Sequence, residues 1–224
     1  MSLKNWDNKT WLSSKKYIQS FNSFLLKQSK LNRNSQILDI GCGRGKIAGS
    51  LFSKLRLKNK PIGIDIERHK DRDKRIYFKK INAIDFIKKD KKKFDLILIK
   101  QTIHLLKFDE IKKLIFLCKK ALTSDGKIMI FTLETHNNEI PSFLLMKQKL
   151  KKSLARDKKI IQFISNLHTN SLIKKFSFNV KITKKKYILM IENRFISILL
   201  NLKLKEIFKG ITEIKFKYKN NLNF

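Results

Sequence analysis

The stretch that most limits how this chain can fold is Gln36–Lys46, reading Q-I-L-D-I-G-C-G-R-G-K. A short apolar run, Ile37, Leu38 and Ile40, carries one acid, Asp39, and stops at glycines on alternate positions, Gly41, Gly43 and Gly45. Helix-compatible residues then resume. An apolar run halted by glycines and followed by a helical pattern predicts strand, tight turn, helix. Glycine is needed where the backbone takes a positive φ or where a ligand presses against bare main chain. The free N–H groups at the start of the following helix suit a polar ligand. Two phosphate-binding patterns do not fit. The dinucleotide fingerprint requires glycine at position 46, where Lys46 stands, and a P-loop requires Gly-Lys-Ser/Thr, where Gly45-Lys46-Ile47 stands.

Beyond this turn the chain keeps alternating strand and helix. Ile47, Ala48, Leu51, Phe52 and Leu55 give an amphipathic helix. Pro61–Glu67, P-I-G-I-D-I-E, is a second buried strand with Asp65 at its tip, followed by Ile66. In nucleotide-binding α/β folds an acid at that point accepts hydrogen bonds from ribose hydroxyls. Ile76–Phe78 with Ile81 makes a third strand, leading into Asn82-Ala83-Ile84-Asp85. Phe94–Ile99 makes a fourth, with Lys100, Gln101, Thr102 and His104 at its carboxyl end, where doubly wound sheets hold their ligands. A helix over 109–121 and a turn over 122–127 lead to a fifth strand, Ile128–Thr132. The alternation predicts an α/β fold: a doubly wound, mainly parallel sheet with helices on both faces and a helical insertion after strand five.

The D-x-G-x-G-x-G turn, with Asp65 twenty residues beyond Gly45, resembles the class I S-adenosylmethionine-dependent methyltransferases of the small-molecule type. The resemblance implies S-adenosylmethionine as cofactor and S-adenosylhomocysteine as product. It implies that Asp39 helps hold the cofactor's amino-acid end, that Gly41, Cys42, Gly43 and Gly45 let it lie across the strand tips, and that Asp65 and Ile66 meet the ribose and its surroundings. Asn82 and Ala83 fall beside the adenine, with Asn82 where an acid is usual; Asp85 is the alternative acid. Lys100 and Gln101 complete the cofactor set. Insertions after strand five commonly form the acceptor pocket in this family, and an N-terminal segment folds over the cofactor. Trp6, Trp11 and Tyr17 are therefore lid or substrate candidates, against a plainer reading as aromatics anchoring a leading helix.

Methyl transfer from a sulfonium is an in-line displacement that depends on positioning, and it needs a general base only where the acceptor loses a proton. His104 is the candidate base, because imidazole titrates near working pH; the alternative is a mere substrate contact or helix cap. His136 and His168 are alternates, and His69 is expected to face solvent. Arg194 is a candidate clamp for an acceptor carboxylate, against an internal salt bridge. No spacing of His, Cys or paired carboxylates marks a metal centre.

The expected organisation is a leading helical lid over 1–35, a cofactor-binding core over 36–133, and an acceptor-binding and completing segment over 134–224. In that last segment helices are expected at 143–154 and 160–167, a strand at 177–182, helices at 187–195 and 203–214, and a short strand at 215–218. Ser13 or Ser14 is expected to cap a helix carrying Tyr17, Ile18, Phe21, Phe24 and Leu25. Cys42 and Cys118 make no disulfide framework, and neither a membrane span nor an export signal is evident, so the cytoplasm is the expected location.

The net charge of +34 raises the question of nucleic acid. Of 52 basic residues, 44 are lysine and 8 arginine, and the lysines run along the whole chain. Nucleic-acid sites favour arginine and interleaved aromatics. A solvated lysine coat, fed by A/T-rich codon usage, accounts for the charge better. The preferred reading is transfer of a methyl group to a small-molecule O, N or S acceptor. RNA or another acidic macromolecule is the alternative acceptor, and a non-catalytic cofactor-binding module is the third reading.

Overall fold

A computed structural model describes residues 10–167 and 170–224; Trp6 and His168 lie outside the described residues. The chain forms two compact units. One comprises Ile18–Thr132 with Ile160–Leu172; the other comprises residues 10–17, Leu133–Lys159 and Ile173–Phe224.

The first unit carries the sheet. Its strands are β1 (Ile37–Ile40), β2 (Ile62–Asp65), β3 (Tyr77–Lys80), β4 (Phe94–Lys100) and β5 (Leu122–Phe131), in the order β3-β2-β1-β4-β5. Every neighbouring pair is parallel. Parallel strands are buried on both faces, which is why β1 and β4 read as nearly unbroken apolar runs. Side chains alternate across the pleat. Leu38, Ile40, Ile62, Ile64, Ile97 and Ile99 form one face and pack with Phe86 of α3 (Ala83–Lys89) and Ile111, Leu114, Ile115 and Cys118 of α4 (Phe108–Lys120). The opposite row holds Ile37, Asp39, Leu96, Leu98 and Lys100. On that side Phe131 meets the Phe21 ring of α1 (Lys15–Gln28) edge-on at 4.7 Å. Asn22 of α1 donates to the carbonyl of Ile47 in α2 (Lys46–Leu55).

Helix ends obey their expected chemistry. The Ser14 hydroxyl accepts from Tyr17 N at 3.2 Å, and the Asn82 side chain accepts from Ile84 N at 2.8 Å to start α3. Glu110 reaches back to Lys107 N at the start of α4. The fifth strand begins earlier than the pattern predicts. Its pairing with β4 jumps from Phe94↔Leu122 to Leu96↔Lys127, so the expected turn is taken up as an irregularity within the strand. Gly126 sits there because a Cβ would lie 2.5 Å from the Phe94 carbonyl oxygen.

The chain after β5 departs more from the expected pattern. The two helices expected at 143–154 and 160–167 are one continuous helix, α5 (Leu144–Leu167), whose polar middle at Ser153–Lys159 does not break it. The strand expected at 177–182 is only β6 (Lys181–Thr183). It pairs antiparallel with β7 (Asn221–Asn223), with Ile182 opposite Leu222, in a sheet of its own. Residues 215–217, expected as strand, are the last turn of α7 (Leu204–Lys217): Ile207, Ile211 and Ile214 hold a helical stripe that outweighs the alternating K-F-K-Y-K. With α6 (Lys184–Glu192), α7 encloses a core of Phe143, Met146, Tyr187, Ile191, Phe195 and Leu199. Tyr187 satisfies its buried hydroxyl on the Pro141 carbonyl, and the Phe143 ring lies where a side chain on Gly210 would be.

Leu98 is fully buried at the centre of the sheet. Leu98→Ala should cost about 2–5 kcal/mol, read as a lower midpoint in urea denaturation with an unchanged slope.

Candidate cofactor site

The glycine turn lies at the carboxyl end of β1, flanked by the tips of β2 and β4. Gly41, Gly43 and Gly45 all have left-handed backbone, with φ of 66°, 53° and 69°. Two of them answer different demands. At Gly41 a Cβ would lie 2.1 Å from the Thr102 hydroxyl oxygen, so the absent side chain lets the β4 tip close onto the turn. At Gly43 a Cβ would meet only the His69 Nε2, 4.0 Å away. Gly43 is therefore the least crowded of the three, with only the His69 ring at van der Waals distance.

Asp65 holds this turn. Its carboxylate accepts from Gly43 N at 2.8 Å through Oδ2 and from Glu67 N at 2.9 Å through Oδ1. Gly41 N and Cys42 N both donate to the Ile64 carbonyl, which completes the tie between β1 and β2. Each carboxylate oxygen keeps a further lone pair for a hydroxyl donor. Beside it, Ile66 is 59% exposed, an apolar side chain presented at the strand tip without packing.

Asp39 is 4% exposed and stands opposite Gly63 on one side and Leu98 on the other. Burial pushes its carboxyl up to about 7; the Lys100 ammonium pulls it down and Asp65 pushes it further up. Lys100 lies on the same face of the sheet and places its ammonium 5.6 Å from the Phe21 ring centroid. The Cys42 thiol is raised well above its ordinary range by burial and then by the charges of Asp39 and Asp65, so it is no nucleophile.

Gln101 has a φ of 54°, a strained conformation for a side-chain-bearing residue, directly after β4. Thr102 folds its hydroxyl back onto the Lys100 carbonyl. His104 comes next, half-buried, in a short 3-10 turn, Ile103–Leu105. Beyond β3, Ile81 N donates to the Asp65 carbonyl, bringing Asn82 and Ala83 to the next strand tip. The Asn82 amide oxygen is occupied as the helix cap, and Asp85 is exposed in the first turn of α3.

The remaining expected site residues stand elsewhere. Trp11 packs against Phe195 and Phe224 at 5.2 Å each. Tyr17 is 7% exposed, edge-on to Phe176 and Phe178. Among the described residues Arg194 makes no ion pair: its Nη1 donates to the carbonyls of Leu199, Leu200 and Leu202, closing the loop before α7. His136 is exposed beside Glu134.

A second layer around the turn has no counterpart in the sequence motifs. His69, expected in solvent, is 3% exposed against the glycine turn. Arg44 is buried and its guanidinium bonds Asp71 at 2.8 Å, while its carbonyl accepts from Asp73 N. Burial raises the Asp73 carboxyl, but the hydrogen bonds and charge of Arg75 outweigh it and leave the group below its ordinary range. Asp73 also fills the space a side chain at Gly49 would take, so the loop after β2 is pinned to α2. The available signal was compositional. In a chain that uses lysine by default, Arg44, Arg68, Arg72 and Arg75 are half of all arginines, and arginine is the residue for planar, multiply bonded contacts.

A family model described as a methyltransferase domain matches residues 31–194. No curated protein matches the chain. Among solved structures, a protein of Anabaena variabilis described as a methyltransferase from an antibiotic biosynthesis pathway aligns with a TM-score of 0.61 at 14% identity, over 88% of this chain and 84% of that one. A Geobacter sulfurreducens SAM-dependent methyltransferase, solved with S-adenosyl-L-homocysteine, gives 0.53 at 14% identity over 92% and 84%. The plantazolicin methyltransferase BpumL, solved with a pentazolic desmethylPZN analog and SAH, gives 0.52 at 18% over 92% and 82%. At such identities the likeness establishes the fold, and the family match establishes membership. The chain belongs to the methyltransferase-domain family, the class I, S-adenosylmethionine-dependent kind.

The raised Asp39 carboxyl has a thermodynamic consequence. Its folded value lies above its unfolded one, so its contribution to stability is full below about pH 4 and is lost as pH rises through about 7. Asp39→Asn should melt with the wild type at pH 4 and be more stable at pH 8, by at most about 4 kcal/mol. Thermal unfolding of the ligand-free protein at both pH values measures this.

Proposed function

We propose that this protein transfers the methyl group of S-adenosylmethionine to a small-molecule O, N or S acceptor. The observation that carries the reading is the left-handed, uncrowded Gly43 after β1, whose N–H is held by the Asp65 carboxylate at the tip of β2. The residues fit the cofactor's chemistry. Gly43 offers room for an adenosyl group, Asp65 keeps acceptor capacity for ribose hydroxyls, Ile66 offers an apolar contact for the adenine, and Asp39 offers a counter-charge for the ammonium. When bound, the sulfonium supplies an activated methyl group; no metal or covalent step is required of the protein.

In this reading Gly41, Cys42 and Gly45 shape the turn, and Asn82, Ala83, Lys100 and Gln101 border the bound cofactor. Burial that holds the Asp39 carboxyl at about 7 makes it a poor anion until a cation arrives. The charge of Lys100 on the neighbouring strand pulls the Asp39 carboxyl down, against burial. His104, two residues beyond Thr102, takes the acceptor's proton where one must leave. The small-molecule acceptor is supported by the antibiotic-pathway and plantazolicin enzymes of like fold, and by Lys100-Gln101-Thr102-Ile103 standing where amino-methylating nucleic-acid enzymes carry Asn/Asp-Pro-Pro-Tyr/Phe.

Calorimetric titration with S-adenosylmethionine and S-adenosylhomocysteine tests the cofactor site. Wild type should bind both, and Asp65→Ala should lose at least about tenfold in affinity, since two charged hydrogen bonds to the turn and those to the ribose go together. Affinity for S-adenosylmethionine should rise from pH 6 to pH 8 as Asp39 ionises, and Asp39→Asn should flatten that rise. Absence of binding to wild type at any pH overturns the assignment. On an acceptor found by methyl-transfer screening, His104→Asn should leave cofactor affinity intact and lower turnover about a hundredfold or more.

A further inference from the structure

The second unit exposes large apolar side chains among lysines. On α7, Leu204, Phe208 and Phe216 are 66%, 59% and 88% exposed, while Ile207, Ile211 and Ile214 on the other side of the same helix are buried in the core. On α6, Leu189 is also exposed. Helical spacing places Leu189 on the same face as Lys185, and Lys215 on the same face as Phe208. Lys185 and Lys215 both line an open groove of ≈ 690 Å³, together with Lys184, Asn220 and Asn221.

The groove exists because β6 and β7 pair, bringing two distant lysine-rich segments side by side. Within 181–187 and 214–224 stand Lys181, Lys184, Lys185, Lys186, Lys215, Lys217 and Lys219, and no acid. Lys184 donates to the carbonyls of Lys215 and Tyr218, which secures the groove wall. The ammonium groups of Lys185 and Lys215 have no hydrogen-bond or ion-pair partner among the described residues, so their charge is available.

Exposed large apolar groups set among uncompensated cations suit a surface that is apolar inside and anionic outside. We propose that this face of α6 and α7 docks on an anionic lipid membrane, with lipid phosphates or carboxylates at Lys185 and Lys215 and with Phe208 and Phe216 entering the acyl boundary. A second copy of this chain is a poor occupant, because it would set lysine against lysine. A nucleic-acid strand would satisfy the lysines and could stack on Phe216, but it leaves Leu204 and Leu189 against a polar backbone. This binding is peripheral, and it stands independently of the methyl-transfer reading.

Vesicle co-sedimentation at about 0.15 M salt tests it with phosphatidylcholine alone and with phosphatidylcholine containing phosphatidylserine. The full chain should sediment with the anionic vesicles and not with the neutral ones. Lys185→Glu with Lys215→Glu should lower the partition at least roughly 25-fold, about fivefold for each lysine charge removed and more for the acid put in its place. Phe208→Ser with Phe216→Ser should lower it about tenfold or more, and both side chains are exposed, so folding is spared. Lys112→Glu with Lys119→Glu, exposed on α4 in the other unit, should leave it nearly unchanged. Equal loss in that α4 control, or undiminished binding after the phenylalanine changes, would overturn the proposal in favour of a general charge effect. Failure to bind anionic vesicles, with a short RNA retained through Lys185 and Lys215, would overturn it in favour of nucleic acid.

Discussion

The hydrogen bond from Gly43 N to the Asp65 carboxylate is the contact on which the candidate site depends. It joins the turn after β1 to the tip of β2 and fixes a backbone that only glycine adopts cheaply. The same carboxylate takes Glu67 N, so it also sets the direction of the chain leaving β2. That chain then folds back over the turn, where Arg44, Asp71, Asp73 and Arg75 bind it to α2. The acid proposed to bind the ribose is in this way first a structural acid. Its remaining lone pairs are pre-aimed because its other bonds are already made.

The electrostatics of the site are arranged by burial as much as by charge. The Asp65 charge and, above all, burial within β1 keep Asp39 from full ionisation. Lys100 partly compensates from the neighbouring strand. A cation entering such a site meets an acid that ionises in response, which couples binding to proton release. The methyl donor carries both an ammonium and a sulfonium. This is the chemical sense in which the strand tips match the proposed ligand.

Much of this fold is encoded locally. The glycine turn, the acid at the tip of β2 and the apolar runs of β1, β2 and β4 are short-range patterns with direct physical causes, and they are legible for that reason. The family resemblance rested on those same residues. The region after β5 was less legible. The polar middle of α5 resembled a break, because exposed lysines and a buried stripe coexist on one helix. Lys215–Tyr218 resembled a strand, because alternating K-F-K-Y-K mimics a pleat; the burial of Ile211 and Ile214 decided otherwise. His69 carried no signal of its own, since its burial comes from a loop closing over it.

The sequence by itself determined the parallel α/β sheet, the position of the turn and the identity of the residues at the strand tips. Periodicity and backbone preference act within a few residues, so they can be read without coordinates. Only the tertiary structure decided which glycine is least crowded, that burial raises the Asp39 carboxyl to about 7, and that Arg194 closes a loop on carbonyls. It also brought two lysine runs together through β6 and β7 while leaving Phe208 and Phe216 uncovered. Burial and long-range pairing are properties of the whole packed chain, and no local pattern encodes them.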